Sequence, residues 1–194
     1  MTDHQPRFFS NAAEFSRWLA TNHASARELW LGVYKKTTGK QTITYLEALD
    51  EALCYGWIDS IQRGLDPQSY AIRFTPRKPG SLWSAYNQKR VAILKKDKRM
   101  QAPGLKAFRA RDAKASAQKT YERANCEFGA ALEKRFRKSR KAWDFFQAQP
   151  PGYRRITTWW VVSAKLEATQ LRRLATLMKD SGAGRRIAQM TKKP

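Results

Sequence analysis

The feature that most limits the fold is a change of hydrophobic periodicity near residue 80. Before it, residues 57–75 have the pattern of two strands around a turn at residues 65–67. From Ser81 onward the apolar spacing is helical with few breaks. The sequence therefore predicts an α+β protein, in which an N-terminal domain with a small antiparallel sheet and helices is followed by a small all-helical module.

Local signals place the other elements of the first half. Asn11 with Glu14, and Thr44 with Glu47, have the spacing of capping boxes, and each pair precedes an apolar stripe at helical spacing. Residues 28–36 are rich in β-formers and apolar at almost every position, which predicts a strand buried on both faces.

The hairpin pattern also suggests a register. If the two strands were symmetric about residue 66, Asp59 would lie opposite Arg73 and Trp57 opposite Thr75. The register of a sheet is not encoded in one strand alone, so this pairing is an expectation that depends on the turn.

The second half divides into helices and a polar segment. Helices are expected near 81–98, 103–115, 124–138, 139–148, 151–164 and 166–180. Large apolar groups are scarce in 112–125, so the predicted domains are 1–115 for the α+β domain, 116–125 for a linker, 126–184 for the helical module and 185–194 for a flexible basic tail.

The charge is large and unevenly distributed. The 194-residue chain has a formal net charge of +22, made up of −1 for residues 1–66, +15 for 67–149 and +8 for 150–194. Such a field attracts polyanions: a nucleic acid, an anionic membrane face or an acidic protein. The alternative is that the charge only keeps the protein soluble.

Several classes of protein have little support in the sequence. No apolar run has the length of a membrane span, and the first residues lack the pattern of a secretory signal, so a cytoplasmic location is expected. The two cysteines, Cys54 and Cys126, form no CxxC pair, which argues against a zinc site or a disulfide scaffold. No cofactor or metal is expected, because glycine-rich phosphate motifs are also missing.

One stretch, residues 73–90, combines cations and aromatics without any acid. Ser81 has the character of a helix N-cap, and the first N–H groups of a helix attract anions, especially with cations beside them. We therefore expect an anionic small molecule or an acidic partner to bind here. The expected ligand-binding residues are Trp57, Asp59, Arg73, Arg77, Lys78, Ser81, Trp83, Asn87 and Arg90.

Asn87 and Arg90 have a second interpretation. Both interrupt a helical face that otherwise points to the core, so they could instead tie the helix to the sheet, with Asp59 or Glu51 as partner. A third interpretation is an enzyme that uses Asp59 and Glu51 in the same pocket. Catalysis has weak support, because no histidine accompanies these carboxylates and no catalytic residue is identified.

The basic helical half suggests a different partner. Cations interleaved with aromatics can stack on bases and contact phosphates, although they also occur in a small helical packing unit with solvated cations. Non-specific, salt-sensitive binding of nucleic acid is the alternative function. The residues expected to carry it are Lys134, Arg135, Arg137, Lys138, Arg140, Lys141, Arg154 and Arg155.

Four segments resemble a known family. The sequences ALCYGWIDS at 52–60, RFTPRKPGSLWSAYNQKR at 73–90, MQAPGLKAF at 100–108 and PPGYRRITTWWVVSAKLEATQLRR at 150–173 are similar to the YdeI/OmpD-associated family. Members are described as bacteriocin-protection proteins, which implies a stress-resistance role without a defined reaction. A strongly cationic protein would repel cationic antimicrobial peptides, so direct capture of such peptides is electrostatically unfavourable.

Overall fold

The computed structural model describes residues 5–190, which pack as two compact units that divide between Ala117 and Gln118. We call these unit 1 and unit 2 and describe each by itself. Unit 1 contains a sheet with helices, whereas the described part of unit 2 contains helices without strands. The predicted α+β fold class is therefore confirmed.

The sheet of unit 1 has four strands in the described residues. They are β1 (Arg7–Phe8), β2 (Leu29–Tyr34), β3 (Trp57–Gly64) and β4 (Ser69–Pro76), in the order β1-β2-β4-β3. β2 and β3 both pair antiparallel with β4, as expected for a hairpin and a neighbouring strand. The short β1 pairs parallel with β2, so the sheet is mixed rather than purely antiparallel.

The register of the hairpin differs from the symmetric expectation. Asp59 lies opposite Phe74 and Trp57 lies opposite Pro76, one residue away from the predicted partners. A bulge between Asp59 and Gln62 shifts the pairing again. A bulge adds an unpaired residue to one strand, which symmetry about a turn cannot anticipate.

Five helices follow or flank these strands up to the end of unit 1. They are α1 (Ala12–Asn22), α2 (Tyr45–Cys54), α3 (Ala85–Lys96), α4 (Ala102–Arg109) and α5 (Ala113–Ala124), of which α5 crosses the division between the units. Asn11 caps α1 and Thr44 caps α2, as their spacing predicts. Ser81 does not cap α3: that helix begins later, and Ser84 Oγ accepts the Asn87 N–H at 3.1 Å.

The segment expected as a linker has regular structure. Residues 113–124 form α5, in which only Ser116 is buried. Four of these twelve residues are alanine and the others include Lys, Gln, Glu and Arg, all good helix formers. Low hydrophobicity therefore indicates an exposed helix here.

Helix α2 lies between two hydrophobic clusters of unit 1. Ala48 and Ala52 pack with α1 and the sheet, while Leu49 and Leu53 pack with Trp83, α3 and α4. Gly104 in α4 lies so close to α2 that a Cβ there would be 2.1 Å from the Cys54 carbonyl oxygen. Only glycine fits at this crossing, and the contact holds α4 against the end of α2.

Unit 2 is built from α6 (Ala130–Arg137), α7 (Arg140–Gln147), α8 (Pro151–Val162) and α9 (Glu167–Gly182). Its core contains Phe136, Val161 and Leu174, each fully buried. The predicted tail at 185–194 is partly ordered: Ile187 is buried in the same core, and its N–H donates to the Tyr153 hydroxyl at 3.0 Å. Residues 191–194 of that tail lie outside the described residues.

Candidate functional site

Arg73 is held in place by a carboxylate. On β4 it lies opposite Trp30 of β2, and its Nε and Nη2 donate to Glu28 Oε2 at 2.8 and 2.5 Å. The predicted partner across the hairpin was Asp59, but Asp59 lies opposite Phe74. Arg73 instead reaches Glu28, which lies just before β2 on the other side of β4. The guanidinium is thus already neutralised within the fold.

Arg90 makes a two-pronged ion pair with Asp50. Its Nε donates to Asp50 Oδ1 at 2.9 Å, and its Nη2 donates to Asp50 Oδ2. The hydrogen bonds to Asp50 raise the pKa of Arg90. Asp50 has only 7% of its side chain exposed, so the pair ties α3 to α2. The expected partners, Asp59 and Glu51, are wrong: Arg99 Nη2 donates to Glu51 Oε1 at 2.5 Å.

Arg77 has no such partner. Its guanidinium carbon lies 3.6 Å from the centroid of the Trp83 ring, and its Nη1 donates to the Leu82 carbonyl oxygen at 3.1 Å. No ion pair with Arg77 is found in residues 5–190. Burial lowers the pKa of Arg77 to about 10, and the charge of Asp59 offsets that shift only in part.

Three buried polar atoms near Arg77 lack a hydrogen-bond partner among the described residues: Arg77 Nε, Ser81 Oγ and Trp83 Nε1. Buried polar atoms are nearly always paired, so three within seven residues are unusual. Arg Nε and Trp Nε1 are donors only, which means that any missing partner is an acceptor. Lys78 in the same segment is exposed, and Asn87 is half-buried.

Trp57 and Asp59 serve other contacts. Trp57 is buried in the core, and its Nε1 donates to the His23 carbonyl oxygen at 3.2 Å. Asp59 accepts the Tyr45 hydroxyl at 3.0 Å. Burial, followed by the charge of Asp59, raises the pKa of Tyr45 to about 12. Asp59 and Glu51 therefore bind separate partners, Tyr45 and Arg99.

Sequence reasoning missed the other side of Trp83. The Phe108 ring of α4 meets the Trp83 ring edge to face, with centroids 5.1 Å apart, and Arg111 lies 3.8 Å from the Phe108 centroid. Ser116 Oγ accepts the Trp83 N–H at 3.0 Å. The three-residue spacing of Phe108 and Arg111 could have predicted the contact between those two side chains. The contact of Phe108 with Trp83 joins distant parts of the chain, so no local pattern predicts it.

The cations proposed for nucleic acid lie on the helices of unit 2. On α8, Arg154 is half-buried and Arg155 is exposed. The other six are exposed on or beside α6 and α7: Lys134, Arg135, Arg137, Lys138, Arg140 and Lys141. Arg137 donates to Glu133 at 2.8 Å, and its guanidinium lies 4.4 Å from the Trp143 centroid. Most of this charge is therefore solvated.

Between residues 5 and 190, no helix is both long enough and apolar enough to span a bilayer. Within the same range no cluster of three or more His, Cys, Asp or Glu side chains could hold a metal ion.

Comparison with family models divides the chain much as its two units do. Residues 7–107 match the model described as a domain of unknown function (DUF8412), which covers just over half of the sequence. The chain belongs to the DUF8412 family. Its motifs at 52–60 and 73–90, including Arg77 and Trp83, lie inside that match.

The second match concerns unit 2 of this DUF8412 protein. Residues 126–184 match the model described as bacteriocin-protection, YdeI or OmpD-associated. The predicted resemblance to that family is confirmed for this segment. Comparison with curated proteins and with solved structures gave no match.

Proposed function

We propose that this protein is a bacteriocin-protection, YdeI-type protein that acts by binding an anionic ligand at Arg77, assisted by Lys78 and Ser81. The match of residues 126–184 supports the type of protein. The state of Arg77 supports the binding site. The proposal is narrower than the set expected from the sequence, because other expected residues make structural contacts: Trp57, Asp59, Arg73 and Arg90.

The observation that carries the proposal is a contrast among arginines of unit 1. Arg73, Arg90 and Arg99 are each matched by a carboxylate, whereas Arg77 has only a carbonyl oxygen and an aromatic face. A half-buried guanidinium that no carboxylate contacts is costly, because it loses hydration without gaining an ion pair. An anion would supply that charge through short charge-assisted hydrogen bonds, and the Trp83 face would keep the guanidinium oriented.

The lowered pKa of Arg77 gives the site a pH dependence. An anion binds the charged guanidinium, and burial makes that charge easier to lose. Affinity for an anion should therefore be retained through neutral pH and fall as the pH rises through about 10.

Inorganic phosphate is a suitable probe. Its binding to the full chain, measured by isothermal titration calorimetry at low salt, should weaken about tenfold or more in Arg77→Leu, because a charged hydrogen bond is lost. Arg109→Leu is the matched control: it removes the same charge from an exposed position of unit 1. Equal weakening in both variants would show that only the net charge matters and would refute a site at Arg77.

The exposed cations of α6 and α7 favour a second candidate, non-specific binding of nucleic acid. Retention on double-stranded DNA should then fall steeply with salt concentration. It should also fall when Lys134, Arg135 and Lys138 are replaced together by alanine, and Arg77→Leu should leave it nearly unchanged. Retention that does not respond to salt or to the triple substitution would remove this candidate.

A further inference from the structure

Unit 2 contains a cavity of about 450 Å³ whose lining includes none of the residues predicted around Arg77. Three of the cations predicted to bind nucleic acid, Arg137, Arg154 and Arg155, do line it. It is lined by the segment before α6, by α6 and α7, and by the first two turns of α8. Its volume lies in the range of small-molecule pockets, about 300–1,000 Å³. The lining falls almost entirely within the residues that match the bacteriocin-protection, YdeI or OmpD-associated model.

One side of the cavity is aromatic. Phe128 and Phe146 are both buried, with ring centroids 5.7 Å apart, and Trp143 lies 5.9 Å from Phe146. All three residues line the cavity. Aromatic side chains offer a flat apolar group both contact area and favourable ring geometry. This side therefore suits a planar apolar part of a ligand.

The side formed by α8 is cationic. Arg154 Nη1 donates to Gln147 Oε1 at 2.9 Å, but its Nε is buried without a partner among the described residues. Arg155 is exposed and makes no ion pair in the described part of the chain. The amino end of α8, at Pro150, has no side-chain cap, so its first turn adds a favourable field for an anion.

Two acids also line the cavity. Glu133 is held by Arg137 at 2.8 Å, so its charge is balanced, and Glu127 is exposed. The arginines that remain without a carboxylate are Arg154 and Arg155, both on α8. The polar and apolar sides thus differ in chemistry, which favours a ligand with an anionic end and a flat apolar end.

We propose that this cavity binds a small aromatic carboxylate, with the carboxylate at Arg154 and Arg155 and the ring against Phe128 and Phe146. The proposal does not depend on the site at Arg77, because the residues that carry it all belong to unit 2.

Cys126 provides an internal reporter of occupancy. It lines the cavity, and its Sγ–H donates to the carbonyl oxygens of Arg123 and Arg155 at 3.5 Å. It is partly exposed, whereas the other cysteine, Cys54, is buried. A ligand in the cavity would cover Cys126 and slow its alkylation by iodoacetamide.

The test compares three probes on the full-length protein. Benzoate carries both groups, acetate only the carboxylate and benzyl alcohol only the ring. Calorimetry should show that benzoate binds at least about tenfold more tightly than either of the others, as expected when two contacts act together. Benzoate should also slow alkylation of Cys126. Equal affinities for benzoate and acetate, or no protection of Cys126, would overturn the proposal.

Substitutions locate the site. Arg155→Leu and Arg154→Leu should each weaken benzoate binding about tenfold, while Arg172→Leu, an equal charge change at an exposed position of α9, should change it less than twofold. Arg155 is exposed, so its variant should fold normally, which a circular dichroism melt would verify. Arg77→Leu should leave benzoate binding intact, which separates this site from the proposed phosphate site. Equal losses in the Arg172 and Arg155 variants would refute it.

Discussion

The two units use their acidic residues in different ways. Unit 1 pairs mostly buried carboxylates with arginines whose side chains are at most 43% exposed. These pairs are Glu28–Arg73, Asp50–Arg90 and Glu51–Arg99. The ion pairs found in the described part of unit 2 lie nearer the surface: Glu133–Arg137, Asp144–Arg140 and Asp180–Arg185. Unit 2 also has 18 Lys and Arg against 6 Asp and Glu, so many of its cations have no acid to meet.

The two units also differ in whether a polar side chain caps the first turn of each helix. Asn11, Thr44 and Ser84 cap three of the four helices α1 to α4 of unit 1 through a side-chain oxygen, and α4 begins without such a cap. The four helices described in unit 2 begin without a side-chain cap. Polar side chains in unit 1 are thus committed to structure, and those in unit 2 are less so. Arg77 in unit 1 and Arg154 and Arg155 in unit 2 make no ion pair with a carboxylate in the described residues, so they are available to an anionic ligand.

The largest effect on stability is expected at the Arg90–Asp50 pair. Arg90→Leu would leave the Asp50 carboxylate buried without its counter-charge, which should lower the free energy of unfolding by about 2–3 kcal/mol. Urea denaturation of the full chain, followed by circular dichroism, measures this change. Arg172→Leu, at an exposed position, should cost no more than about 0.5 kcal/mol. A loss below about 1 kcal/mol in Arg90→Leu would mean that the pair contributes little to unit 1.

A smaller effect is expected at the capped helix α2. Thr44→Ala removes the cap and should cost about 1 kcal/mol at neutral pH. Hydrogen bonds from the Thr44 N–H and hydroxyl lower the pKa of Glu47. The part of the cap that the Glu47 carboxylate supplies is therefore present above the usual carboxyl pKa and is lost as the pH falls through the lowered value, while the bond from the Glu47 N–H to the Thr44 hydroxyl does not titrate.

The difference between Thr44→Ala and wild type should therefore shrink in acid, as urea denaturation at pH 7 and pH 3 would show. Ser139→Ala is the matched substitution at the start of α7, where no side-chain cap is made. It should cost less than about 0.5 kcal/mol. Similar costs for both variants would remove the contrast in capping between the units.

Arg77 should behave unlike Arg90. Arg77→Leu removes a cation–aromatic contact but also a half-buried charge that no ion pair balances, and the leucine would still cover part of Trp83. The two effects oppose each other, so the stability should change by less than about 1 kcal/mol. Chemical denaturation of this variant beside Arg90→Leu makes the comparison. A loss of 2 kcal/mol or more would make Arg77 a structural residue.

The smallest effect is expected at the surface pair of α7. Arg140 and Asp144 approach to 3.9 Å, with 94% and 67% of their side chains exposed. Arg140→Ala should therefore change the stability by no more than about 0.3 kcal/mol, and salt should abolish even that. Thermal melts in low and high salt would detect a larger contribution, which would contradict the view that the charges of unit 2 are mainly solvated.

Features that depend on a few neighbouring residues were predictable. The caps at Asn11 and Thr44, the hairpin between 57 and 75 and the helices after residue 80 follow from spacing and composition. The division between the units falls inside the segment expected as a linker, 116–125, but the scarcity of large apolar residues there hid the helix that its composition favours. The candidate site in unit 1 stays a prediction, and the sequence could not show that two of its expected members, Arg73 and Arg90, are paired with carboxylates.

The sequence alone determined which segments fold as helices and strands and where cations concentrate, because both are properties of short stretches. Tertiary structure decided which cation meets which acid. Asp50 and Arg90 are forty residues apart, and the observed hairpin register pairs Asp59 with Phe74 rather than with Arg73. Pairing at such distances depends on packing and register, so only the folded chain shows that Arg90 meets a carboxylate while Arg77 meets none within residues 5–190.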